Sequence, residues 1–424
     1  MSLLIRGGRV LDPARELDQQ ADLLIEKGRV ARIARGIAGA ERVIDAQDKL
    51  VIPGLVDLNA RLREPGEEYK EDLASGGRAA AAGGFTRLCV SADTHPINDR
   101  RSVTEHILKR SEESAPVHIH PVGALTLGAE GTKLCEYADM QSAGVVALGD
   151  PDRSVTDSGL MRRALEYAST FDLPVFAHCE DHSLSAGGVI NEGLVSTQTG
   201  LPGRPAEAES IGVARDLALV ELTGARWHLR HITTASALDQ IRDAKARGLP
   251  VTCEVSALHL ALSEDACLDY ETSTKVFPPF RRRDDMEALR AGLAAGVIDV
   301  IVSDHAPQSV MEKELEFGLA GFGASTLETT LALALDLWRS DKIPIQQIIA
   351  ALTCNPARIA GIPGGTLAEG CVADITIVDP EATWRVEGEA FISKGKSTPL
   401  EGKVLRGAAV ATLVAGGLVY EQCP

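Results

Sequence analysis

The chain has 424 residues, a formal net charge of −17 and an isoelectric point near 5.1. At 45% hydrophobic and only 4% aromatic residues, it suits one large α/β domain with a smaller second unit. The dispersed acidic charge argues against a nucleic-acid partner, and no run of about 20 apolar residues predicts a membrane span. Since the first residues also lack the apolar core of a signal peptide, we expect a cytoplasmic protein with no membrane partner.

Short segments of period-two alternation fill the first fifty residues and predict a small β-structure. These segments read LLIRGGRVLD, ADLLIEKGRVARIA and ERVIDAQDKLVIPG, separated by glycine and charged residues. The eight cysteines of the whole chain lie far apart without a C-x-x-C spacing, which favours buried free thiols over a zinc cluster.

From Gly54 the pattern changes to apolar runs that alternate with helical segments rich in Ala, Leu, Arg and Glu. The apolar runs are GLVDLNA, TRLCVSA, VHIHPVGA, GVVALGD, PVFAHCE, RWHLRHI, PVTCEVS and DVIVSDH. Such runs are typical of parallel strands buried on both faces, so residues 54–362 are predicted to form a closed (β/α)8 barrel. The segments GGTLAEGCVADITIVDP and VLRGAAVATLVAGGLVYE return to a β pattern. We therefore expect residues 1–53 and 363–424 to form one composite β-domain.

Polar residues stand where these strands end, the place at which barrels of this kind carry their chemistry. They are Asn59, Arg61, Asp93, Asp150, His178, His231, Asp304 and His305. A succession of His, His and Asp is typical of metal-assisted hydrolases. His118 and His120 have the i, i+2 spacing of a displaced metal pair, but they follow the third strand, in a different sector from His178 and His231.

Several longer segments together resemble dihydroorotase, an amidohydrolase-superfamily enzyme of pyrimidine biosynthesis. They include LREPGEEYKEDLASGGRAAAAGGFT, HCEDHSLSAGGVINEGLVSTQTGLPGRPAEAE, SDHAP, NPARIAGIP and KSTPLEGKVLRG, and the likeness runs over nearly the whole chain. The resemblance implies a TIM barrel of amidohydrolase type whose zinc-held hydroxide interconverts carbamoyl aspartate and dihydroorotate. In that family an H-x-H after the first strand and an aspartate after the fourth join two further histidines and an aspartate after the eighth.

This sequence departs from the family at the metal positions. Asn59 and Arg61 stand at the H-x-H, and Pro151 stands at the metal-bridging position. Three positions keep family residues: His178, His231 and Asp304. Because arginine stays protonated and proline offers no side-chain donor, we expect no metal and no cofactor. A weak single zinc site at the three remaining residues is the alternative. We further expect Arg61 to fill the vacated site and to pair with Asp304.

The substrate positions have changed as well. Arg63 matches the family's carboxylate-binding arginine. Asp93, Phe277 and Gln308 stand where the resemblance implies two asparagines and a histidine. An anionic substrate would meet the charge of Asp93 unfavourably.

These departures predict a catalytically inactive dihydroorotase-like subunit with no catalytic residues. The partner implied by the resemblance is the catalytic chain of aspartate transcarbamoylase, with this chain as a homo-oligomer inside a hetero-oligomer. The alternative is an active amidohydrolase of altered specificity that hydrolyses cyclic amides with one metal ion or none. The stoichiometry of the complex and any ligand of the old pocket stay open at this point.

Overall fold

The structure is a computed structural model that describes residues 2–422, and it begins with five strands of a β-sheet domain. These strands are β1 (Ser2–Asp12), β2 (Leu17–Glu26), β3 (Arg29–Ala34), β4 (Arg42–Asp45) and β5 (Leu50–Pro53). β1 pairs antiparallel with β2 but parallel with β4 and β5, so the sheet is mixed. Their alternating side chains bury one apolar face against the rest of this domain.

The next strands build the barrel. They are β6 (Leu55–Ala60), β7 (Phe85–Val90), β8 (His118–Gly123), β9 (Ala147–Leu148), β10 (Val175–His178), β11 (Ile190–Asn191), β12 (Gly203–Arg204), β13 (Trp227–Arg230), β14 (Val251–Ser256) and β15 (Val300–Val302). All but β11 and β12, which pair with each other, form one 8-stranded parallel sheet. A parallel bridge between Ala60 and His305 joins its first and last strands. Every residue of β6, β7, β10 and β13 is buried, as expected for strands covered on both faces.

Helices surround this sheet and connect its strands. They are α1 (Leu73–Ala82), α2 (Arg101–Ser114), α3 (Tyr137–Ala143), α4 (Ser158–Thr170), α5 (His182–Ser185), α6 (Leu194–Thr199), α7 (Ala206–Thr223), α8 (Ala235–Ala246), α9 (Ala257–Ala261), α10 (Arg283–Ala294), α11 (Val310–Lys313), α12 (Leu327–Ser340), α13 (Ile345–Leu352) and α14 (Cys354–Ala360). Local sequence fixes their starts: Asp72 caps α1 by accepting a 2.7 Å hydrogen bond from the Ser75 amide.

The chain then returns to the first domain. β16 (Ile375–Arg385), β17 (Val404–Val414) and β18 (Gly417–Glu421) complete an 8-stranded sheet with the order β18-β17-β16-β5-β1-β2-β3, in which β4 pairs with β1. A buried ion pair, Arg87 Nη2 to Asp374 Oδ2 at 2.6 Å, connects the two domains. The predicted fold, a barrel of amidohydrolase type with a β-domain from both termini, is confirmed. The residue boundaries assigned to the two domains stay predictions.

Two further expectations concern the whole chain. Among residues 2–422, no helix is both long and apolar enough to cross a bilayer. The cysteines within this range are free thiols, all buried except the half-buried Cys354 and Cys371, whereas Cys423 lies outside the described residues.

Candidate functional site

The carboxyl ends of the barrel strands bring three of the predicted site residues into contact. His231 Nε2 and Asn59 Nδ2 each lie 3.1 Å from Asp304 Oδ1, and Asn59 also contacts His231 Nε2. Asn59 belongs to β6, His231 follows β13 and Asp304 follows β15, so residues distant in sequence meet because parallel strands end at one face. His231 and Asp304 both have left-handed backbones, with φ of 55° and 53°, a strain often found at functional sites.

Burial has the largest effect on the pKa values of Asp304 and His231. It raises the pKa of Asp304 to about 6, although Arg61 and His259 partly offset the effect. Burial and the neighbouring Arg230 hold the pKa of His231 well below its usual value, so the imidazole is neutral. Asp304 is therefore a carboxyl group able to take up and release a proton near neutral pH.

His178 ends β10 next to this group but makes no hydrogen bond to it. Its ring is buried, packs edge-on against His231 and Phe277 at centroid distances of 5.6 and 5.0 Å, and neither ring nitrogen has a hydrogen-bond partner. Phe277 also stacks under Arg204, whose guanidinium carbon lies 4.8 Å from the ring centroid. Phe277, at a predicted substrate position, thus packs between His178 and Arg204 as an apolar side chain.

Arg61 enters the site as predicted, but its partners differ from the expected one. Its guanidinium pairs with Asp152 and, at 3.2 Å, with Asp93 Oδ2, while Asp304 binds Asn59 and His231 instead. The predicted Arg61–Asp304 pair is wrong, because the guanidinium reaches Asp93 in the loop after β7 and Asp152 in the loop after β9. Burial would raise the pKa of Asp152, but Arg61 outweighs it and holds that pKa far below its usual range.

The remaining predicted residues lie around this pair. Arg63 Nη1 lies 3.2 Å from Asp93 Oδ2 and 3.3 Å from Glu67 Oε2. Gln308 donates a 2.7 Å hydrogen bond to the carbonyl of Phe322. Pro151, in the loop after β9, is half-buried and places Asp152 beside Arg61. The assignment of all these positions as remnants of a metal and substrate site stays a prediction.

Two charged side chains at this site, Asp152 and Arg230, are not among the residues that the sequence pattern singles out. Arg230 contacts Asn59 Oδ1 and lies 3.7 Å from Glu254 Oε1 inside the barrel. A charged residue within an otherwise apolar strand run was the available signal, because such a side chain must find a buried partner.

The displaced histidine pair is not a metal site. His120 Nε2 lies 3.3 Å from Arg87 Nη1, and His118 Nε2 lies 3.4 Å from Asp374 Oδ2. Both are in the first half of β8, at the opposite end of the barrel strands from Asp304. Burial and the charge of Arg87 lower the pKa of His120 to about 3.

The residues do not fit a pair of metal ions. Asn59 and Arg61 occupy the H-x-H positions, and the guanidinium brings a fixed positive charge where a cation would bind. Within residues 2–422, no group of three or more His, Cys, Asp or Glu side chains is arranged to hold a metal. The ring nitrogens of His178 have no hydrogen-bond partner, and Nε2 lies 3.7 Å from Glu180 Oε2.

The space at the site is small. The cavity bounded by Arg61, Asp152, His259, Phe277 and Asp304 gives solvent about 20 Å³, enough for one or two water molecules. Phe322 and Gly323, from the segment after β15, line one side of it.

Two family models match the chain: "Dihydro-orotase-like" over residues 48–237 and "Amidohydrolase family" over residues 217–420. Proteins named dihydroorotase from Syntrophus aciditrophicus and Geobacter metallireducens are 47% and 44% identical, each match covering 100% of both chains. The solved structure of L-hydantoinase from Arthrobacter aurescens superposes with a TM-score of 0.90 at 24% identity, covering 100% of this chain and 96% of that one. The dihydropyrimidinase from Brevibacillus agri gives 0.88 at 24% identity, covering 99% and 95%. These two structures support the fold.

The full-length matches overturn three predictions. The expected inactive subunit is contradicted because relatives at 44–47% identity are named as an enzyme, dihydroorotase. The prediction that the chain is not an enzyme fails for the same reason. The expected absence of a cofactor conflicts with families whose members are typically zinc-dependent.

Proposed function

The chain belongs to the dihydroorotase family of amidohydrolases, and we propose from that membership that it is an active enzyme of altered specificity that hydrolyses a cyclic amide of the pyrimidine type. The observation that carries the proposal is the contact of Asp304 with His231 and Asn59 at the catalytic face of a barrel whose full-length relatives are named dihydroorotase. Alteration of the specificity follows from the changed side chains around this group.

The chemistry assigned to this chain uses its own side chains. The Asp304 carboxylate takes a proton from a water molecule in the small cavity, and the resulting hydroxide attacks the ring carbonyl carbon. The fixed charge of Arg61, which lines the same cavity, stabilises the oxyanion that forms on the carbonyl oxygen. Asp304 then returns its proton to the ring nitrogen as the carbon–nitrogen bond breaks, which gives one open-chain product that carries a carboxylic acid at one end and an amide at the other.

His231 and Asn59 act as positioning residues in this proposal. Both contact Asp304 Oδ1, and Asn59 is itself held by Arg230 through its side-chain oxygen. These contacts keep the carboxyl group in one orientation and leave its second oxygen for the water. The neutral His231 adds no charge that would lower the basicity of Asp304.

A ring-opening assay on the purified chain tests this function. We expect loss of ring absorbance with dihydroorotate, 5,6-dihydrouracil or hydantoin, and a decrease of at least about 100-fold in the Asp304→Asn variant because the proton acceptor is lost. Asp18→Asn, in an exposed ion pair with Arg9 of the β-domain, is the control and should retain activity. Wild-type protein that opens none of the rings would refute the proposal.

The association with the aspartate transcarbamoylase catalytic chain, in an oligomer within the cytoplasm, is a separate proposal. An exposed apolar surface supports it: Met311 and Leu319, after β15, are 73% and 72% exposed. Co-expression followed by size-exclusion chromatography should give one species larger than either chain alone. Replacing both residues with serine should dissociate it, whereas separate elution of the wild-type chains would contradict the proposal.

A further inference from the structure

An unbroken series of alternating charges runs from the barrel centre to the segment after β15. Its members in order are Asp152, Arg61, Asp93, Arg63, Glu67, Lys70 and Glu312. Lys70 Nζ lies 2.6 Å from Glu67 Oε1 and 3.8 Å from Glu312 Oε1. Each cation in this series already has an anionic partner within the chain.

Asp93 lies near the middle of the series and forms ion pairs with two arginines at once. Its Oδ2 atom lies 3.2 Å from Arg61 Nη1 and 3.2 Å from Arg63 Nη1. The two guanidinium side chains are only 11% and 6% exposed, so water screens their charges poorly and each needs an anion nearby. The Asp93 side chain is 17% exposed, which leaves this contact open to a ligand from solvent.

Two adjacent guanidiniums that share one carboxylate oxygen form a site for a carboxylate. We infer that the Asp93 side chain is an internal substitute for the carboxylate of an acidic ligand and sets the affinity of this cleft for such ligands. An acid that approaches must displace Asp93 from both arginines or accept its repulsion at close range. The inference deepens the proposed function and takes the position of the ligand from it.

Glu67 provides a comparison within the same series. It also pairs with Arg63, at 3.3 Å, but its charge is shared with Lys70. Removal of the Glu67 charge would leave Lys70 without its nearest partner, and Asp93 would still hold both arginines. Asp93 is therefore the one carboxylate of the series that contacts both arginines, and its loss would leave Arg61 with Asp152 and Arg63 with Glu67 as single partners.

Equilibrium binding tests the inference without requiring turnover. Isothermal titration calorimetry would compare dihydroorotate with 5,6-dihydrouracil, which has the same ring but no carboxylate. We expect Asp93→Asn to bind dihydroorotate at least about tenfold more tightly than wild type, because one like charge is removed and each arginine loses one of its two anionic partners. Its affinity for dihydrouracil should change by less than about twofold. Glu67→Gln should give a smaller gain, and Asp18→Asn none.

The gain should disappear when Arg63→Gln is added to Asp93→Asn, since the ligand carboxylate then loses its partner. Should Asp93→Asn fail to fold, Asp93→Ser serves as the second variant. Unchanged or weaker dihydroorotate binding in the variant, an equal gain for both compounds, or no binding to any protein overturns the inference. A protein that shows the expected gain but opens no ring refutes the proposed function and leaves this inference standing.

Discussion

Arg61 determines the character of the site at the scale of single residues. It stands where a histidine ligand is expected, and its guanidinium is held by Asp152 and Asp93 in a largely buried position. The Arg61 guanidinium is a positive charge that belongs to the chain, whereas a metal ion would have to bind from solution. The surrounding carboxylates are therefore neutralised whether or not a metal is present.

Arg61→Ala should lower the free energy of unfolding by about 3 kcal/mol or more, because it leaves two carboxylates without their cation in a poorly hydrated site. Urea denaturation of the purified variant measures the change. Arg101→Ala is the matched control, since Arg101 forms a pair with Glu105 in which both side chains are at least half exposed. The control should change stability by less than about 1 kcal/mol, and an equal effect of the two substitutions would contradict this assignment.

The residues of the site could be named from the sequence, but their pairings could not. His178, His231 and Asp304 stand at the ends of recognisable strands, so their position at one face of the barrel followed from the pattern. The partners of Arg61 depend on how two loops fold back over the barrel. A long arginine side chain could reach either Asp304 or the carboxylates of the two loops, and no periodicity in the sequence distinguishes these partners.

At the scale of elements, two segments cover the site and contain buried lysines without a carboxylate partner among the described residues. Lys313 Nζ donates to the carbonyl oxygens of Thr272 and Lys275 at 2.9 and 3.3 Å, and Lys275 Nζ donates to the carbonyl of Gly318 at 2.9 Å. Backbone carbonyls thus hold the segment after β15 against the segment that contains Phe277. Both segments line the cavity, the first through Phe277 and the second through Phe322.

Lys313, in the segment after β15, should make the free energy of unfolding depend on pH. Burial, with a smaller contribution from Lys275, lowers the pKa of Lys313 to about 7, whereas an unfolded lysine titrates near 10.4. Between these values the unfolded chain binds the additional proton, so the free energy of unfolding rises with pH. Relative to Lys313→Met, wild-type stability should increase from pH 7 to pH 9, by at most about 1.4 kcal/mol per unit. A stability difference between wild type and Lys313→Met that stays constant over this range would contradict a lowered pKa of Lys313.

The elements themselves were largely predictable. Continuous apolar runs gave the barrel strands, because a parallel strand covered on both faces has no polar side to reveal a period of two. The apolar run GVVALGD predicted a strand at β9, but not that only Ala147–Leu148 would pair, and the positions of Phe277 and Phe322 beside the cavity were not visible in the sequence. Both depend on packing between segments that are far apart along the chain.

At the scale of the whole molecule, a family fold surrounds a changed centre. The barrel and the β-domain are joined by the buried Arg87–Asp374 pair, and the sequence matches named dihydroorotases over the full length. The family is typically zinc-dependent, yet three ligand positions carry residues that cannot bind zinc as the family does. We therefore expect this chain to hold less zinc than a relative that has both histidines, on a scaffold that matches the named dihydroorotases over its full length.

Metal analysis by mass spectrometry should give at most one zinc ion per chain after dialysis against buffer that contains zinc. Arg61 carries a positive charge into the position of one ion, and the remaining histidines cannot supply two ligand sets. A relative with both histidines of the H-x-H, treated in parallel, is the control and should retain more zinc. Two ions per chain would show that the site rearranges to bind a metal pair.

Ring opening in ¹⁸O-labelled water, followed by mass spectrometry of the product, tests most directly whether this centre catalyses amide hydrolysis. The wild-type chain should produce an open-chain acid with one ¹⁸O atom per molecule from dihydroorotate or 5,6-dihydrouracil, since the attacking hydroxide comes from solvent. The Asp304→Asn variant should form labelled product no faster than buffer. Labelled product at equal rates in both proteins, or none with the wild type, would contradict the assignment of this chain as an enzyme that uses Asp304.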